Sequence, residues 1–250
     1  MNEKTAPGKA IYFHGLPGSA AELDLVGISD AQKPRVLDPL DVSAFDQHVK
    51  HTGPVQVIGF SLGAFSALKL AAARPDSVSD LVLISPAGPL ELGPYLDQMA
   101  GAPVFKMARS SAIGFAGMTV MQALAAHLVP KFLLRQMFAK SCDADRGLLQ
   151  DAGAIEHLIH GLKNALWTRA ALYRRTVAEY VNPWAGLLND VACPCRIFHG
   201  QRDTWAPIEM ARLLAESLSG PTELQEAPNL GHYSTLIQVL PRVLGETDRR

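Results

Sequence analysis

A serine, an aspartate and a histidine that could act together in nucleophilic catalysis occur in that order along the chain, as Ser61, Asp203 and His232. Ser61 lies at the centre of Gly-Phe-Ser-Leu-Gly, residues 59–63. A serine hydroxyl is a weak nucleophile unless a base takes its proton and an acid orients that base. The chemistry to consider is therefore attack of Ser61 on a carbonyl carbon, with His232 as base and Asp203 as acid.

His232 is the strongest candidate for the base because of its position in the chain. It follows Gly231, which permits an unusual backbone turn, and lies between the last predicted strand and the last predicted helix. His14 and His199 are each followed by glycine at a predicted strand end, so we expect them to shape turns. The other histidines lie near a helix end or in a long helical region, at positions 48, 51, 127, 157 and 160.

Asp203 is the strongest candidate for the acid. It follows the predicted strand at 195–198 within a short loop, before Pro207 opens a helix. An aspartate that merely shapes a turn beside Arg202 is the alternative interpretation. The other position for an acid, after the predicted strand that ends at Ile84, reads Ser-Pro-Ala-Gly and offers no carboxylate. That absence favours Asp203.

The residues around Ser61 predict the local structure that a nucleophile needs. Val55–Ile58 is short, apolar and rich in β-branched residues, which favours a buried strand. After the serine, leucine and alanine recur at helical spacing as far as Arg74, which precedes a proline. Small residues beside the serine let strand and helix approach closely, as in a nucleophile elbow. An ordinary glycine-rich turn is the alternative.

The rest of the chain predicts an α/β fold interrupted by an insertion. Alternating strand and helix patterns predict a mostly parallel central sheet flanked by helices. Strands are predicted at 10–13, 35–37, 81–84, 195–198 and 222–225, and helices near 20–26, 43–50, 207–217 and 233–244. Residues 89–190 read as helical throughout. We therefore expect a core formed by 1–88 and 191–250, with a helical insertion of residues 89–190.

Composition excludes several classes of function. A net charge of −1, with 19% charged residues and no run of Lys or Arg, gives no support for nucleic-acid binding. The three cysteines, Cys142, Cys193 and Cys195, are too few and of odd number for a disulfide framework. They also lack the spacing of a metal site, so we expect packed thiols and a reducing, cytoplasmic location.

The expected absence of an integral membrane span rests on two segments. The first residues show no long apolar run of the kind found in a signal peptide. Residues 110–130 contain no Asp, Glu, Lys or Arg, and their length would cross a bilayer. Because Ser, Thr, Gln, His and two Gly dilute that segment, we interpret it as one or two buried helices.

Four segments together resemble the α/β-hydrolase superfamily, specifically its capped serine hydrolases. They read Tyr-Phe-His-Gly-Leu-Pro-Gly-Ser, Gly-Phe-Ser-Leu-Gly, Phe-His-Gly-Gln-Arg-Asp-Thr-Trp-Ala-Pro and Leu-Gly-His-Tyr. The resemblance covers residues 10–88 and 191–245 and is weak in the insertion. It implies a Ser61–His232–Asp203 triad, and an oxyanion hole formed by the backbone N–H groups of Leu16 and Leu62. It implies no metal or organic cofactor.

The resemblance also bears on the sheet. Members commonly carry a strand hairpin before the His-Gly strand, but only ten residues precede Ile11 here. We therefore expect a trimmed sheet of about six strands with the N-terminal hairpin missing. The first sheet edge is then less protected, and a homodimer or an added covering segment could cover it.

The nucleophile and the insertion together predict a reaction class. A serine in place of the aspartate nucleophile of some relatives implies acyl transfer to water through an acyl-enzyme. Some large side chains of the insertion must pack its core, whereas others could line an apolar, adaptable pocket; the candidates are Phe105, Met107, Phe115, Met118, Met121, Phe132, Met137, Phe138, Trp167 and Tyr173. We expect hydrolysis of a carboxylic ester or thioester with a small-to-medium apolar acyl group.

Three alternatives stay open. One is carbon–carbon bond hydrolysis of meta-cleavage products on the same triad. Another is an aminopeptidase, for which Glu156 and Glu179 are the unconvincing candidates to hold an amine. The third is a ligand-binding receptor of the same fold with little turnover. In every case the expected partner is a small molecule.

Overall fold

A computed structural model describes residues 10–38 and 42–247. Six strands of these residues form one parallel sheet in the order β2-β1-β3-β4-β5-β6. The strands are β1 (Ala10–Phe13), β2 (Arg35–Val36), β3 (Val55–Phe60), β4 (Val78–Ile84), β5 (Cys195–Gly200) and β6 (Thr222–Ala227). The expectation of about six strands is confirmed; the expectation that no hairpin precedes β1 concerns residues 1–9, which lie outside the described residues.

Helices connect and cover these strands. The described residues form α1 (Val42–Thr52), α2 (Gly63–Ala73), α3 (Ala102–Ser110), α4 (Ala112–Leu128), α5 (Pro130–Met137), α6 (Asp143–Arg146), α7 (Ala152–Lys163), α8 (Ala170–Tyr180), α9 (Ile208–Ser217) and α10 (His232–Thr247). A π-helix occupies Asn164–Thr168, and 3-10 segments occupy Ala20–Val26, Asp30–Gln32, Pro75–Ser77, Leu90–Leu92, Leu96–Gln98, Gly147–Gln150 and Ala185–Asp190. The helix predicted near 20–26 is thus a 3-10 helix.

Burial along each strand agrees with its position in the sheet. β3 is buried along its whole length, which fits a central strand of a parallel sheet with helices on both faces. β6 lies at one edge and exposes Glu223 and Gln225. β2 lies at the other edge and is only two residues long. Short or polar strands are typical of sheet edges, because they limit pairing with other chains.

The helical segment, residues 89–190, leaves the sheet after β4 and returns to it before β5, with no strand between. Its two ends meet at Glu91, whose Oε1 accepts hydrogen bonds from the backbone N–H groups of Trp184 and Ala185, both at 2.5 Å. Tyr180 donates a buried hydrogen bond of 2.9 Å to the carbonyl oxygen of Gly88. The segment is therefore anchored at one place beside the core.

The uncharged stretch 110–130 contains the whole of one helix, α4, followed by a sharp bend into α5. One face of α4 is buried, but Ile113 and Leu128 on another face are 88% and 78% exposed. The interpretation of this stretch as buried helices is therefore wrong for that outer face. Within residues 10–38 and 42–247, no single helix combines the length and hydropathy of a membrane span, although α4 and α5 together, bent by 119°, do.

Candidate active site

Ser61 occupies a strained turn between β3 and α2. Its φ angle of 54° lies in the left-handed region, which is uncommon for residues other than glycine. The two flanking glycines allow close packing here: a Cβ on Gly59 would lie 2.7 Å from Ala64 Cα, and one on Gly63 would lie 2.6 Å from the carbonyl oxygen of His14. The turn follows the carboxyl end of a central strand and leaves Ser61 half-buried at the wall of a cavity.

Asp203 and His232 form a buried pair. His232 Nδ1 lies 2.6 Å from Asp203 Oδ2, while Asp203 Oδ1 accepts backbone hydrogen bonds from Trp205 at 2.8 Å and Ala206 at 3.0 Å. Burial acts to raise the pKa of Asp203, but His232, His199 and the Ala206 N–H outweigh it and lower that pKa. An ionised Asp203 therefore accepts the Nδ1 proton, which leaves His232 Nε2 as the basic nitrogen.

Contacts at the strand ends hold His232 near Ser61. The imidazole packs against the ring of Phe60, the residue before Ser61, with 4.9 Å between ring centroids. Ser85, just after β4, donates from Oγ to the carbonyl oxygen of His232 at 3.1 Å. The Ser61 N–H in turn binds the carbonyl oxygen of Ile84 at 3.0 Å. No hydrogen bond among the described residues joins the Ser61 hydroxyl to His232, so the structure pairs Asp203 with His232 and links Ser61 to that pair through its neighbour Phe60.

The loop after β1 also approaches Ser61, since a Cβ on Gly15 would lie 3.3 Å from Ser61 Cβ. Leu16 and Leu62 line the same cavity as Ser61. Within the described part of the chain, neither of their backbone N–H groups has a hydrogen-bond acceptor. Leu62 also precedes the first residue of α2, where free N–H groups and the helix dipole favour negative charge. Both groups are therefore available to a ligand in the cavity.

A buried carboxyl group, that of Glu22, binds the backbone of that loop. Its Oε1 accepts hydrogen bonds from the Tyr12 hydroxyl at 2.5 Å and from the Gly15 N–H at 3.0 Å. Burial raises the pKa of Glu22 to about 7. Glu22 was not among the sequence candidates. The sequence signal that could have indicated its burial is its position in the same short helix as the apolar residues Leu23 and Val26, which are buried with it.

A second carboxylate reaches His232 from the helical segment. Asp145 of α6 is 1% exposed, and it accepts hydrogen bonds from the backbone N–H groups of His232 at 2.7 Å and Ser234 at 2.8 Å. It therefore caps the N-terminus of α10, where a negative charge is stabilising. Gly231 has no left-handed φ, contrary to the turn expected there. Glycine is needed instead because a Cβ would lie 2.5 Å from Asp145 Oδ2.

The cavity beside Ser61 has a volume of about 360 Å³, and none of the described residues in its wall is charged. Its polar side chains are Ser61, Gln122, Gln136, Tyr173 and Trp205. The indole of Trp205 stacks on the His232 imidazole, with 5.5 Å between centroids and 9° between planes. Trp205 was missed at the sequence level, because nothing in its neighbourhood along the chain indicates that it lies over His232.

The large side chains proposed from sequence to line a pocket divide into three groups. Four of them line the cavity: Phe105, Met118, Met137 and Tyr173. Three lie in or against the hydrophobic core away from it: Met107, Phe115 and Phe138. The other three, Met121, Phe132 and Trp167, are 72%, 60% and 60% exposed. The pocket prediction therefore holds for part of the set only.

Other candidate groups lie away from the cavity. Glu156 is exposed on α7, and Glu179 forms ion pairs with Lys69 and Arg175. Cys142, Cys193 and Cys195 are free thiols. The part of the chain that the structure describes holds no group of three or more His, Cys, Asp or Glu side chains placed to bind a metal ion.

Comparison with known proteins identifies a family and two relatives that match different shares of the chain. The model of the alpha/beta hydrolase family matches residues 12–242. A pimeloyl-acyl-carrier-protein methyl ester esterase of Chromobacterium violaceum is 27% identical over 195 residues, which cover 75% of this chain and 68% of that protein. Lipase LipV of Mycobacterium tuberculosis is 46% identical over 54 residues, or 20% of this chain and 21% of the lipase.

Solved structures agree on the fold. An esterase of Thermogutta terrifontis superposes with a TM-score of 0.65 at 18% sequence identity, covering 96% of this chain and 88% of the esterase. The family match spans the elbow, the Asp203–His232 pair and the helical segment between them. The chain therefore belongs to the alpha/beta hydrolase family.

Proposed function

We propose that this alpha/beta hydrolase is a serine hydrolase that cleaves a carboxylic ester or thioester with a small-to-medium apolar acyl group. The observation that carries the proposal is the position of Ser61. It lies in a strained turn at the wall of a cavity of about 360 Å³ whose described wall residues carry no charge, and the residue before it packs against His232 of the hydrogen-bonded Asp203–His232 pair. Residues in sparsely populated backbone conformations cluster at active sites, and a hydrolytic nucleophile needs this surrounding.

In the proposed mechanism Ser61 Oγ attacks the carbonyl carbon while His232 Nε2 takes its proton. The oxyanion of the tetrahedral intermediate accepts hydrogen bonds from the N–H groups of Leu16 and Leu62. His232 then protonates the departing alcohol or thiol, and a water molecule attacks the acyl-enzyme by the same route. Asp203 orients His232 throughout. The Ser61–His232 hydrogen bond forms on substrate binding, as catalytic contacts often tighten only then.

The proposed substrate class follows from the cavity wall. Among the described residues, the wall offers apolar contacts with a few amide and aromatic polar groups and no ion-pair partner. Burying a substrate ammonium or carboxylate there would leave a charge without a partner, which is unfavourable. This disfavours an aminopeptidase. The helical segment supplies Phe105, Met118 and Met137 to the wall, so we propose that residues 89–190 act as a cap over the core formed by 1–88 and 191–250.

Two experiments test this proposal. A fluorophosphonate probe should label the wild type and Ser110→Ala, an exposed-serine control, but not Ser61→Ala. A panel of p-nitrophenyl esters and acyl thioesters of increasing chain length should show saturable turnover, which His232→Ala abolishes. Turnover that survives Ser61→Ala would refute the proposal. Tight binding of the panel compounds without product release would instead indicate a receptor.

A further inference from the structure

The outer face of α4 is apolar and has no partner within the described residues. Its exposed members recur at helical spacing: Ile113 at 88%, Val120 at 53%, Met121 at 72%, Leu124 at 47% and Leu128 at 78%. At about 100° per residue these positions fall within an arc of about 100°. The opposite side of α4 carries the buried Phe115, Thr119, Ala123 and Ala126. The exposure is therefore a continuous stripe along one side of the helix.

Neighbouring elements extend this stripe. Val129, at the bend, is 49% exposed, and Phe132 of α5 is 60% exposed. Trp167 of the π-helix is 60% exposed, and its ring contacts that of His127 near the end of α4, with 5.2 Å between centroids. We call the eight residues together the outer apolar face: Ile113, Val120, Met121, Leu124, Leu128, Val129, Phe132 and Trp167. Single exposed apolar residues are ordinary, but a grouped set indicates an interaction surface.

The charged residues of the stretch that carries most of the outer apolar face have one sign. Residues 98–142 carry five of the chain's 23 Lys and Arg and none of its 24 Asp and Glu, so this stretch has a charge of +5 and the rest of the chain −6. The cations are Lys106, Arg109, Lys131, Arg135 and Lys140, of which Lys106 forms an ion pair with Asp97, just outside this stretch. Lys131, Arg135 and Lys140 are exposed and have no ion-pair partner in the described part of the chain.

Carboxylates on the elements that pack against α4 do not offset this charge. Of α3, α5, α7, α8 and the π-helix, only α7 and α8 carry a carboxylate, one each. Glu179 of α8 is already paired with Lys69 and Arg175. Glu156 of α7 is therefore the one acidic side chain on these helices without an ion pair in the described residues.

From this apolar and cationic surface, we infer that the outer apolar face docks on an anionic lipid surface. Exposed aliphatic side chains with Phe and Trp, flanked by Lys and Arg, are typical of helices that lie in a membrane interface. A second copy of the chain is a poorer occupant, because a symmetric contact would bring two surfaces of the same positive sign together.

Docking there would also bring the active cavity to the lipid. Met118 and Gln122 of α4, and Leu133 and Met137 of α5, line the cavity from the other sides of these two helices. The cavity wall and the outer apolar face are thus two sides of the same helices. Binding to lipid does not require Ser61 chemistry, so this inference stands apart from the proposed function.

Vesicle binding of the full chain tests the inference. Wild-type protein should sediment with vesicles of phosphatidylglycerol and phosphatidylcholine, less with rising salt, and much less with phosphatidylcholine alone. Ile113→Ser/Met121→Ser/Leu128→Ser should weaken binding more than about tenfold. Lys131→Gln/Arg135→Gln should weaken it by about 25-fold, since each of the two cations near an anionic surface contributes about fivefold.

Controls separate lipid docking from folding and catalysis. Lys50→Gln/Arg242→Gln removes two exposed cations from α1 and α10 and should bind vesicles like the wild type. Ser61→Ala should also bind normally. The outer-face variants should hydrolyse a soluble ester at the wild-type rate, because none of their altered residues lines the cavity. The fluorescence of Trp167 should shift to shorter wavelength with anionic vesicles, and Trp167→Phe should lack that shift.

Three results of the vesicle assay would overturn the inference. They are an absence of sedimentation with anionic vesicles, equal binding to neutral vesicles, or unchanged binding by the triple serine variant. A wild-type dimer in light scattering that the triple variant converts to a monomer, with no vesicle binding, would also overturn it and assign the outer apolar face to a second copy.

Discussion

Asp145→Asn tests whether the helical segment holds His232 in place. Asp145 accepts from the N–H groups of His232 at 2.7 Å and Ser234 at 2.8 Å, one with each carboxylate oxygen. An asparagine has the same shape but only one acceptor oxygen, and its NH2 group would face the other N–H. The change therefore removes one hydrogen bond and the negative charge at the N-terminus of α10, and adds a donor facing a donor.

The expected loss of stability follows from these contacts. A hydrogen bond to a charged acceptor contributes about 1.5–3 kcal/mol, and a partly buried charge at a helix terminus contributes up to about 2 kcal/mol. The two effects share one carboxylate, so we expect a combined loss of about 3 kcal/mol. For a domain of this size that lowers the Tm by about 6–12 °C.

The same change should slow catalysis without weakening binding. Asp145 does not line the cavity, so KM for a p-nitrophenyl ester should stay near the wild-type value. A displaced imidazole should lower kcat by about tenfold or more. The matched control is Asp143→Asn on the same helix, whose side chain is 86% exposed and pairs with Arg146. A wild-type Tm and kcat in Asp145→Asn, or equal effects in both variants, would refute the reasoning.

Three other substitutions have defined outcomes. Burial raises the pKa of Glu22 from 4.5 to about 7, so the contribution of its protonated form to stability is complete below pH 4.5 and is lost as pH rises through 7. In urea unfolding, the wild type should lose about 3 kcal/mol of unfolding free energy over this range, whereas Glu22→Gln should not. Parallel pH profiles of the two proteins would contradict this prediction. Gly63→Ala should lower the Tm measured by circular dichroism by more than about 5 °C, because the added Cβ would meet a backbone oxygen. Gly117→Ala, which has open space around it, should not lower the Tm. Trp205→Ala should lower kcat about fivefold, because it removes the ring stacked on His232, and Trp205→Phe should keep most of the wild-type rate. A kcat of Trp205→Ala equal to that of the wild type would exclude a role of this ring in positioning His232.

The sequence predicted the parts of the fold that are encoded locally. The apolar strand before Ser61 and the helical pattern after it predict the elbow, and the glycines predict its tight packing. The alternation of strands and helices predicts a mostly parallel sheet of about six strands, and both features are confirmed. Asp203 and His232 were found by their positions after strands, and the structure places them 2.6 Å apart; their catalytic roles stay proposals.

The features that were missed depend on tertiary contacts. Asp143 and Asp145 are two residues apart in one short polar stretch, yet only Asp145 is buried against α10. No local pattern distinguishes them. The stretch 110–130 illustrates the same limit, because hydropathy records that a face is apolar and not whether another element covers it. Glu22 was missed because a carboxylate in a short helix is usually exposed.

The two ends of the helical segment meet at the carboxylate of Glu91, and this has a consequence for engineering. An insertion whose ends are close together can be exchanged for another with little strain on the sheet, because the entropic cost of closing such a loop grows slowly with its length. Such an exchange would alter the specificity of the cavity in one step. A transplanted segment would nevertheless need to supply a carboxylate at the place of Asp145. A segment without one would alter the substrate and, at the same time, remove the hydrogen bonds that support His232.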